Sequence, residues 1–165
     1  MSEGRRIILA TDLSSYSSER MLEYIKKKIL RKGDKVTILH VFNWQNISDL
    51  PMDDEVMGIG AGNLVALNNS EKKRAREAIT KGMECLLKKA QDSGVDAESV
   101  IMEGYPRIKI CELAAKKKAD FVVMASRGMG ALGRMFLGSV SDYCIHNCTS
   151  SILLVKDKEI TNENA

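Results

Sequence analysis

The stretch from residue 122 to residue 142 holds the side chains and glycines whose spacing best fits a chemical role. An apolar run at 122–124 predicts a buried strand, and Gly138-Ser139 begins a predicted helix. The loop between them carries three glycines and two arginines, and Gly138 is a fourth glycine at its end. Glycine lets the backbone approach an oxyanion closely, and a helix N-terminus offers free N–H groups and a positive dipole end. The arrangement predicts a phosphate site, and a nucleotide is the first candidate ligand.

Other interpretations of the same loop are weaker. No Gly-Lys-[ST] follows the glycines, which excludes a P-loop. Gly128-x-Gly130-x-x-Gly133 fits a dinucleotide pattern but follows the predicted fourth strand rather than the first, so that fingerprint is rejected. Ser139 with Asp142 fits a capping box, which predicts that Ser139 caps its helix and that phosphate contact is an added role. Arg127 and Arg134 either offset phosphate charge or are solvated loop residues.

Five apolar segments predict strands that alternate with four helices. The predicted strands are 6–11, 35–42, 97–102, 120–124 and 151–155. The helices are one that follows the serine cluster at 14–18 and has apolar positions from Met21 to Ile29, a second at 70–91, a third opened by Gly104-Tyr105-Pro106, and a fourth at 139–147. This alternation predicts an α/β fold, a single-domain doubly wound five-stranded parallel sheet of order 3-2-1-4-5 with helices on both faces. Ligands bind such sheets where strand order reverses. With strands one and four at the reversal, Asp12 and the loop 126–138 face each other across one crevice.

The remaining polar candidates favour binding over catalysis. His40 lies near the crevice and could donate to a phosphate or the ribose, although a structural role is favoured, and His146 fits a helix surface. Cys144 and Cys148 share an apolar helix face, which favours packing over metal ligation, and no spacing indicates zinc. No nucleophile, base and orienting group stand together, so we expect slow or absent hydrolysis and no catalytic residue. Asp12 is the one candidate contact for Mg²⁺.

Length and composition limit the classes of protein to which this chain can belong. The 165 residues predict one domain over 1–156, with a long loop at 44–69 and a polar tail at 157–165. The net charge is +3 and only 5% of residues are aromatic, which argues against nucleic-acid binding. No bilayer-length apolar segment or signal peptide is evident, and the cysteines form no disulfide framework. These absences predict a cytoplasmic protein that does not bind membranes.

From Arg6 to Lys156 the chain resembles the universal stress protein family. The most specific mark is the family's signature G-x2-G-x9-G-[ST], which here reads Ala125-x2-Gly128-x9-Gly138-Ser139 and matches three of its four fixed positions. Supporting matches are Asp12, Leu39-His40-Val41, Gly104-x-Pro106 and Arg127. The resemblance implies a five-stranded parallel sheet that forms a homodimer through its last strand, Ile152-Leu153-Leu154-Val155, and the signature-bearing branch binds ATP.

The resemblance also implies roles for individual residues. Asp12 would lie against the ribose or the adenine edge, and backbone atoms of Val41 would contact the adenine. Gly128, Gly138 and Ser139 would hold the phosphates of ATP, ADP or AMP, with Mg²⁺ as an optional companion. The residues expected to complete the site are Met124, Ala125, Arg127, Val140 and Ser141.

One departure leaves alternatives open. Ala125 stands where the family has its first signature glycine, and its methyl group crowds the ligand if φ is positive but is harmless if φ is negative. The leading hypothesis is an ATP-binding regulatory dimer, a nucleotide-dependent switch with an unidentified protein partner. The second is a nucleotide-free interaction module of the same fold. The third, an enzyme such as an adenylyl transferase, is disfavoured because Asp12-Leu13-Ser14-Ser15 lacks a histidine-rich motif.

Overall fold

The computed structural model describes residues 4–13, 15–44, 69–126 and 138–156. Five strands alternate with four helices along these residues. The strands are β1 (Arg6–Thr11), β2 (Lys35–Phe42), β3 (Asp96–Glu103), β4 (Phe121–Ser126) and β5 (Ser151–Lys156). The helices are α1 (Ser15–Lys28), α2 (Asn69–Asp92), α3 (Pro106–Lys117) and α4 (Ser139–Asn147). The predicted strands and helices are confirmed, and several of them begin or end one or two residues from the predicted position.

The strands form one parallel sheet in the order β3-β2-β1-β4-β5, which confirms the predicted topology. The centre of the sheet is apolar on both faces, as expected where helices cover both sides. Within β1, Ile7, Ile8 and Leu9 are each no more than 1% exposed. Neighbouring side chains of a strand point to opposite faces. Ile7 and Leu9 therefore enter one core and Ile8 the other.

Each face of the sheet has its own helix pair. On the first face, α1 contributes Met21, Leu22 and Ile25, and α2 contributes a stripe of five buried residues, namely Ala75, Ile79, Met83, Leu86 and Ala90. On the second face, α3 and α4 pack against each other and against the sheet. In the described ranges, no helix has the length and apolarity that a bilayer crossing requires.

The helix ends follow their local sequence. Pro106 occupies the first turn of α3, where its missing N–H would have had no helical partner. The lysine-rich runs occupy the last turns of α1 and α3, where cations complement the helix dipole. Lys118 follows α3 in the left-handed conformation, with φ of 50°, and its N–H bonds the Ala115 carbonyl at 3.1 Å.

A buried ion pair fixes the amino end of β1 to the turn before β2. The Asp34 side chain is 4% exposed and accepts hydrogen bonds from Arg5 Nε at 3.0 Å and from the Arg31 backbone N–H at 2.8 Å. The hydrogen bond from Arg5 is the main reason that the pKa of Asp34 is lowered. Arg5 also donates to the Ile29 carbonyl, just past α1.

Candidate functional site

The switch point of the sheet lies between β1 and β4. The chain moves outward from β1 to β2 and β3, and then crosses back through α3 to β4 on the other side of β1. Thr11 pairs with His40, and Ala10 pairs with Met124. Continuing these registers places Asp12 level with Val41 on one side and with Ser126 on the other, on strands about 4.8 Å apart. The fold therefore brings the predicted Asp12, Val41 and β4 positions to one edge.

A strained turn follows β1 at this edge. Leu13 has φ of 60°, a left-handed conformation that costs a non-glycine residue about 1–2 kcal/mol. Its N–H donates to Thr11 Oγ1 at 3.0 Å, and its side chain is buried. A β-carbon built on Gly82 of α2 would stand 3.6 Å from Leu13 Cδ1, so α2 packs closely against the turn. The turn leaves Asp12 exposed at the mouth of the crevice.

His40 has a structural role beneath the crevice, as the sequence favoured. Its side chain is 1% exposed, and its Nδ1 lies 3.0 Å from the backbone oxygen of Thr11. Because a carbonyl oxygen only accepts hydrogen bonds, Nδ1 carries the proton in this contact. His40 thereby fixes the end of β1 just before Asp12.

Ala125 has the conformation that makes its methyl group harmless to the backbone. It lies inside β4 and pairs with Val155 of β5. In the described ranges, the non-glycine residues with positive φ are Leu13 and Lys118. The half-buried methyl group of Ala125 packs against the core on the α1 and α2 face. The neighbouring Met124 is 5% exposed and faces the opposite core.

The N-terminus of α4 differs from the predicted capping box. The cap residue is Gly138, with φ of −63° and ψ of 151°, and it makes no side-chain cap hydrogen bond. Ser139 is the first helical residue, so the prediction that Ser139 caps the helix is wrong. The capping pattern failed because the helix begins at Ser139, one residue earlier than the pattern requires. The first backbone bond runs from Asp142 N–H to the Gly138 carbonyl at 2.9 Å.

The first turn of α4 presents an anion-binding surface. The backbone N–H groups of its first turn, from Ser139, Val140 and Ser141, have no partner within the helix. The Ser141 hydroxyl donates to the Gly138 carbonyl at 2.9 Å, which fixes the orientation of the cap. A β-carbon on Gly138 would make only ordinary contact, 3.6 Å from Ser141 Oγ. Gly138 and Ser139 are both exposed.

An aromatic and cationic cluster at the end of β2 was not predicted from the sequence. The rings of Phe42 and Trp44 meet edge to face with centroids 4.9 Å apart. The Arg76 guanidinium lies 5.5 Å from the Trp44 centroid and 3.2 Å from a Glu103 carboxylate oxygen. The partners come from β2, β3 and α2, and only the folded sheet shows that they meet. The cluster adjoins Val41 on the crevice side of the sheet.

Several predicted positions fall outside the described residues. Arg127, Gly128 and Arg134 lie there, as do residues 45–68 of the long loop and the tail 157–165. His146 is exposed near the end of α4, and its Nδ1 donates to the Asp142 carbonyl at 2.8 Å. Cys144 and Cys148 pack as expected, but Cys111 of α3 joins them in a group that the sequence analysis did not foresee.

The geometry supports two complementary kinds of contact. Amides that have no partner within the helix at the N-terminus of α4 would favour an anion, whereas the exposed Asp12 carboxylate can accept hydrogen bonds from hydroxyl groups or hold a cation. Fold and site thus define a doubly wound α/β protein with polar groups at the carboxyl edge of its sheet, where the strand order reverses. The chain belongs to the universal stress protein family, whose model matches residues 4–156.

Similar proteins come from archaea, bacteria and plants. Universal stress protein MJ0577 of Methanocaldococcus jannaschii is 27% identical, over 93% of this chain and 96% of the relative. Universal stress protein Sll1388 of Synechocystis is 32% identical, over 92% and 97% respectively. The solved structure of MJ0577 superposes with a TM-score of 0.70 at 25% identity, over 94% of this chain and 97% of that one. An Arabidopsis thaliana family member with AMP bound has a TM-score of 0.58 at 21% identity, over 92% of this chain and 91% of that one.

Proposed function

We propose that the chain binds an adenine nucleotide in the crevice at its switch point, with ATP as the expected ligand. The observation that carries this proposal is the register that brings Asp12, Val41 and the end of β4 to one level. Family members of the same fold have been solved with AMP and, in Archaeoglobus fulgidus, with dAMP. The shared family and fold, together with the register at the switch point, support the same ligand class here.

Each contacting residue suits a different part of the nucleotide. The exposed Asp12 carboxylate would accept hydrogen bonds from ribose hydroxyls or contact Mg²⁺, and it would repel a phosphate placed directly against it. Backbone atoms of Val41 would contact the adenine. The amides of Ser139, Val140 and Ser141, together with Gly138, would receive the phosphates. Arg127 and Gly128 would complete the phosphate site from the loop before α4.

The altered signature is compatible with binding. A glycine would be essential at position 125 only if the backbone there needed positive φ, and Ala125 is an ordinary strand residue. Its methyl group packs against the core. The signature Ala125-x2-Gly128-x9-Gly138-Ser139 can therefore act as the glycine form does. We propose on this basis that the chain belongs to the ATP-binding branch of the family.

The proposed role is regulatory rather than catalytic. Phosphoryl transfer would need a base that positions water. Asp12 is the candidate metal contact, and the one nearby imidazole, His40, is buried and bonded to Thr11. We therefore expect slow or absent hydrolysis. Nucleotide occupancy would instead alter the surface around the start of α4, which an unidentified protein partner would recognise.

The decisive experiment is titration calorimetry with ATP, ADP and AMP on the wild type and on Ser139→Asp. An aspartate in the first turn of a helix favours the helix dipole, so the fold should remain stable while phosphate is repelled. We expect wild-type binding and a loss of at least about tenfold in ATP affinity for the variant, which is about 1.4 kcal/mol. Ser139→Ala should lose much less, because the amides remain.

The matched control is Ser151→Asp. It adds the same charge at an exposed serine, the first residue of β5, at the end of the sheet away from the crevice. It should bind ATP as the wild type does. Absence of heat with every nucleotide at about millimolar concentration would overturn the proposal and favour a nucleotide-free interaction module.

We further propose a homodimer formed through β5. Edge strands present unpaired backbone groups, and proteins often protect them with charges. The β3 edge carries exposed Asp96, Glu98 and Glu103, whereas β5 carries the half-buried run Ile152-Leu153-Leu154. The apolar edge is the one suited to pair with a second copy.

Light scattering during size exclusion tests the dimer. The wild type should elute with the mass of two chains, and Ile152→Lys should shift it toward one. Ile101→Lys on the opposite edge strand, where Ile101 is 37% exposed, is the matched control and should leave the mass unchanged. A wild-type mass of one chain at all concentrations would exclude this interface.

A further inference from the structure

Three cysteine thiols meet between α3 and α4, on the sheet face opposite α1 and α2. Cys111 comes from the middle of α3, Cys144 from the last turn of α4, and Cys148 follows directly after α4. Their sulfur atoms all lie within 4.8 Å of one another. Cys111 Sγ stands 2.8 Å from Cys148 Sγ and 3.9 Å from Cys144 Sγ. The three residues are separated by up to 37 positions in the chain, so the grouping is a product of the fold.

The sulfur spacing suits a shared cation. Thiolate ligands stand about 2.3 Å from a bound ion such as zinc, and three of them in a plane are then about 4 Å apart. The observed separations bracket that value. Cys144 is fully buried, whereas Cys111 and Cys148 are half-buried. A cation can therefore approach from the solvent side and be held against a rigid inner ligand.

The three sulfur ligands indicate which kind of cation the site would bind. Within the part of the chain that the structure describes, no histidine or carboxylate joins the group. Sulfur-only ligands select soft metals such as Cu(I), whereas structural zinc sites almost always complete a tetrahedron with a fourth ligand. We propose that Cys111, Cys144 and Cys148 form a three-sulfur binding site for Cu(I). The site shares no residue with the proposed nucleotide site, and along the axis of α4 Cys144 lies about 8 Å and Cys148 about 13 Å from Ser139.

Metal binding would require the thiols to lose their protons, because the thiolate is the form that ligates a metal ion. Burial, followed by the neighbouring Cys111, raises the pKa of Cys144 to about 12, and burial also raises the pKa of Cys148. These thiols are therefore protonated at neutral pH and are weak nucleophiles. Binding of Cu(I) replaces the protons of the coordinating thiols, which are released to solvent, and no oxidation or reduction takes place.

The test is anaerobic titration of the reduced, full-length chain with Cu(I) against a chromophoric Cu(I) chelator. The wild type should take up one Cu(I) per chain, and X-ray absorption should show sulfur ligands alone. Cys111→Ser and Cys148→Ser should each weaken binding by at least about tenfold, since even loss of an outer-shell partner costs 10- to 100-fold. These half-buried positions decide the test if Cys144→Ser does not fold.

Cys85→Ser is the matched control, because Cys85 is exposed on α2 and lies outside the group. It should bind Cu(I) as tightly as the wild type. Equal competition by wild type, Cys111→Ser and Cys148→Ser would overturn the proposal. Formation of a Cys111–Cys148 disulfide with oxidised glutathione, in a chain that takes up no Cu(I), would also overturn it and would assign the pair to thiol–disulfide chemistry.

Discussion

Replacing Ala125 by glycine tests whether the altered signature blocks the crevice. The substitution restores the family pattern and distinguishes a working nucleotide site from a lost one. Ala125 lies within β4, pairs with Val155 and packs its methyl group against the core. Because no positive φ is present to be relieved, we expect the ATP affinity of Ala125→Gly to stay within about twofold of wild type, a difference of about 0.4 kcal/mol.

The same substitution should lower stability. Loss of a fully buried methyl group costs about 0.8 kcal/mol, and about half of that applies to a half-buried one. Glycine in a strand adds about 0.5–1 kcal/mol through the entropy of the unfolded chain. The sum is about 1–1.5 kcal/mol, which corresponds to a fall in Tm of about 2–6 °C for a domain of this size.

Calorimetric titration with ATP and thermal unfolding without ligand measure the two effects separately. Ala97→Gly is the matched control, because Ala97 is also half-buried in a strand and packs against the same core, but lies at the amino end of β3. It should lose similar stability and keep its ATP affinity. A gain of about tenfold or more in Ala125→Gly alone would refute the reasoning, since it would show that the methyl group obstructs the ligand.

Three further predictions concern Leu13, Asp34 and Trp44. Leu13→Gly should be at least as stable as Leu13→Ala in urea unfolding, the reverse of the usual order, because both lose the same side chain and only glycine escapes the left-handed penalty. Asp34→Asn should cost about 2–3 kcal/mol at neutral pH, since it breaks the pair with Arg5. The lowered pKa of Asp34 means that this contribution is present above about pH 4 and is lost as pH falls through the folded-state value, so wild type and variant should converge in acid. ATP should change the emission of Trp44, the only tryptophan, in wild type and not in Ser139→Asp.

The fold was predictable because its signals are local and repeated. Continuous apolar runs mark strands that are buried on both faces, as in Ile7-Ile8-Leu9, and the stripe from Ala75 to Ala90 marks one face of a helix. Right-handed crossovers then leave few strand orders. Boundaries were less exact: β4 continues to Ser126, because pairing with β5 extends it beyond its apolar run.

The site was predictable only in part, because some of its properties depend on tertiary context. Strand position placed Asp12 at the carboxyl edge of the sheet, and the family resemblance added Val41. The capping pattern at Ser139 was misleading, since Gly138 takes the cap position. The strained conformation of Leu13 has no sequence signal, because leucine rarely adopts it and only packing against α2 retains it.

The last helix carries one proposed site at each end, and each ligand would act on the helix in a different way. At the N-terminus a bound phosphate would meet the positive end of the helix dipole, which is worth about 0.3–1 kcal/mol, whereas at the C-terminus Cu(I) would join Cys144 and Cys148 to Cys111 of α3 through metal–sulfur bonds. Ser139 stands at the first end, and Cys144 and Cys148 at the second. In nine residues α4 is too short to be stable alone, and it depends on packing against α3. Ligands at both ends would therefore hold the same helix in place by contacts that its own sequence does not supply.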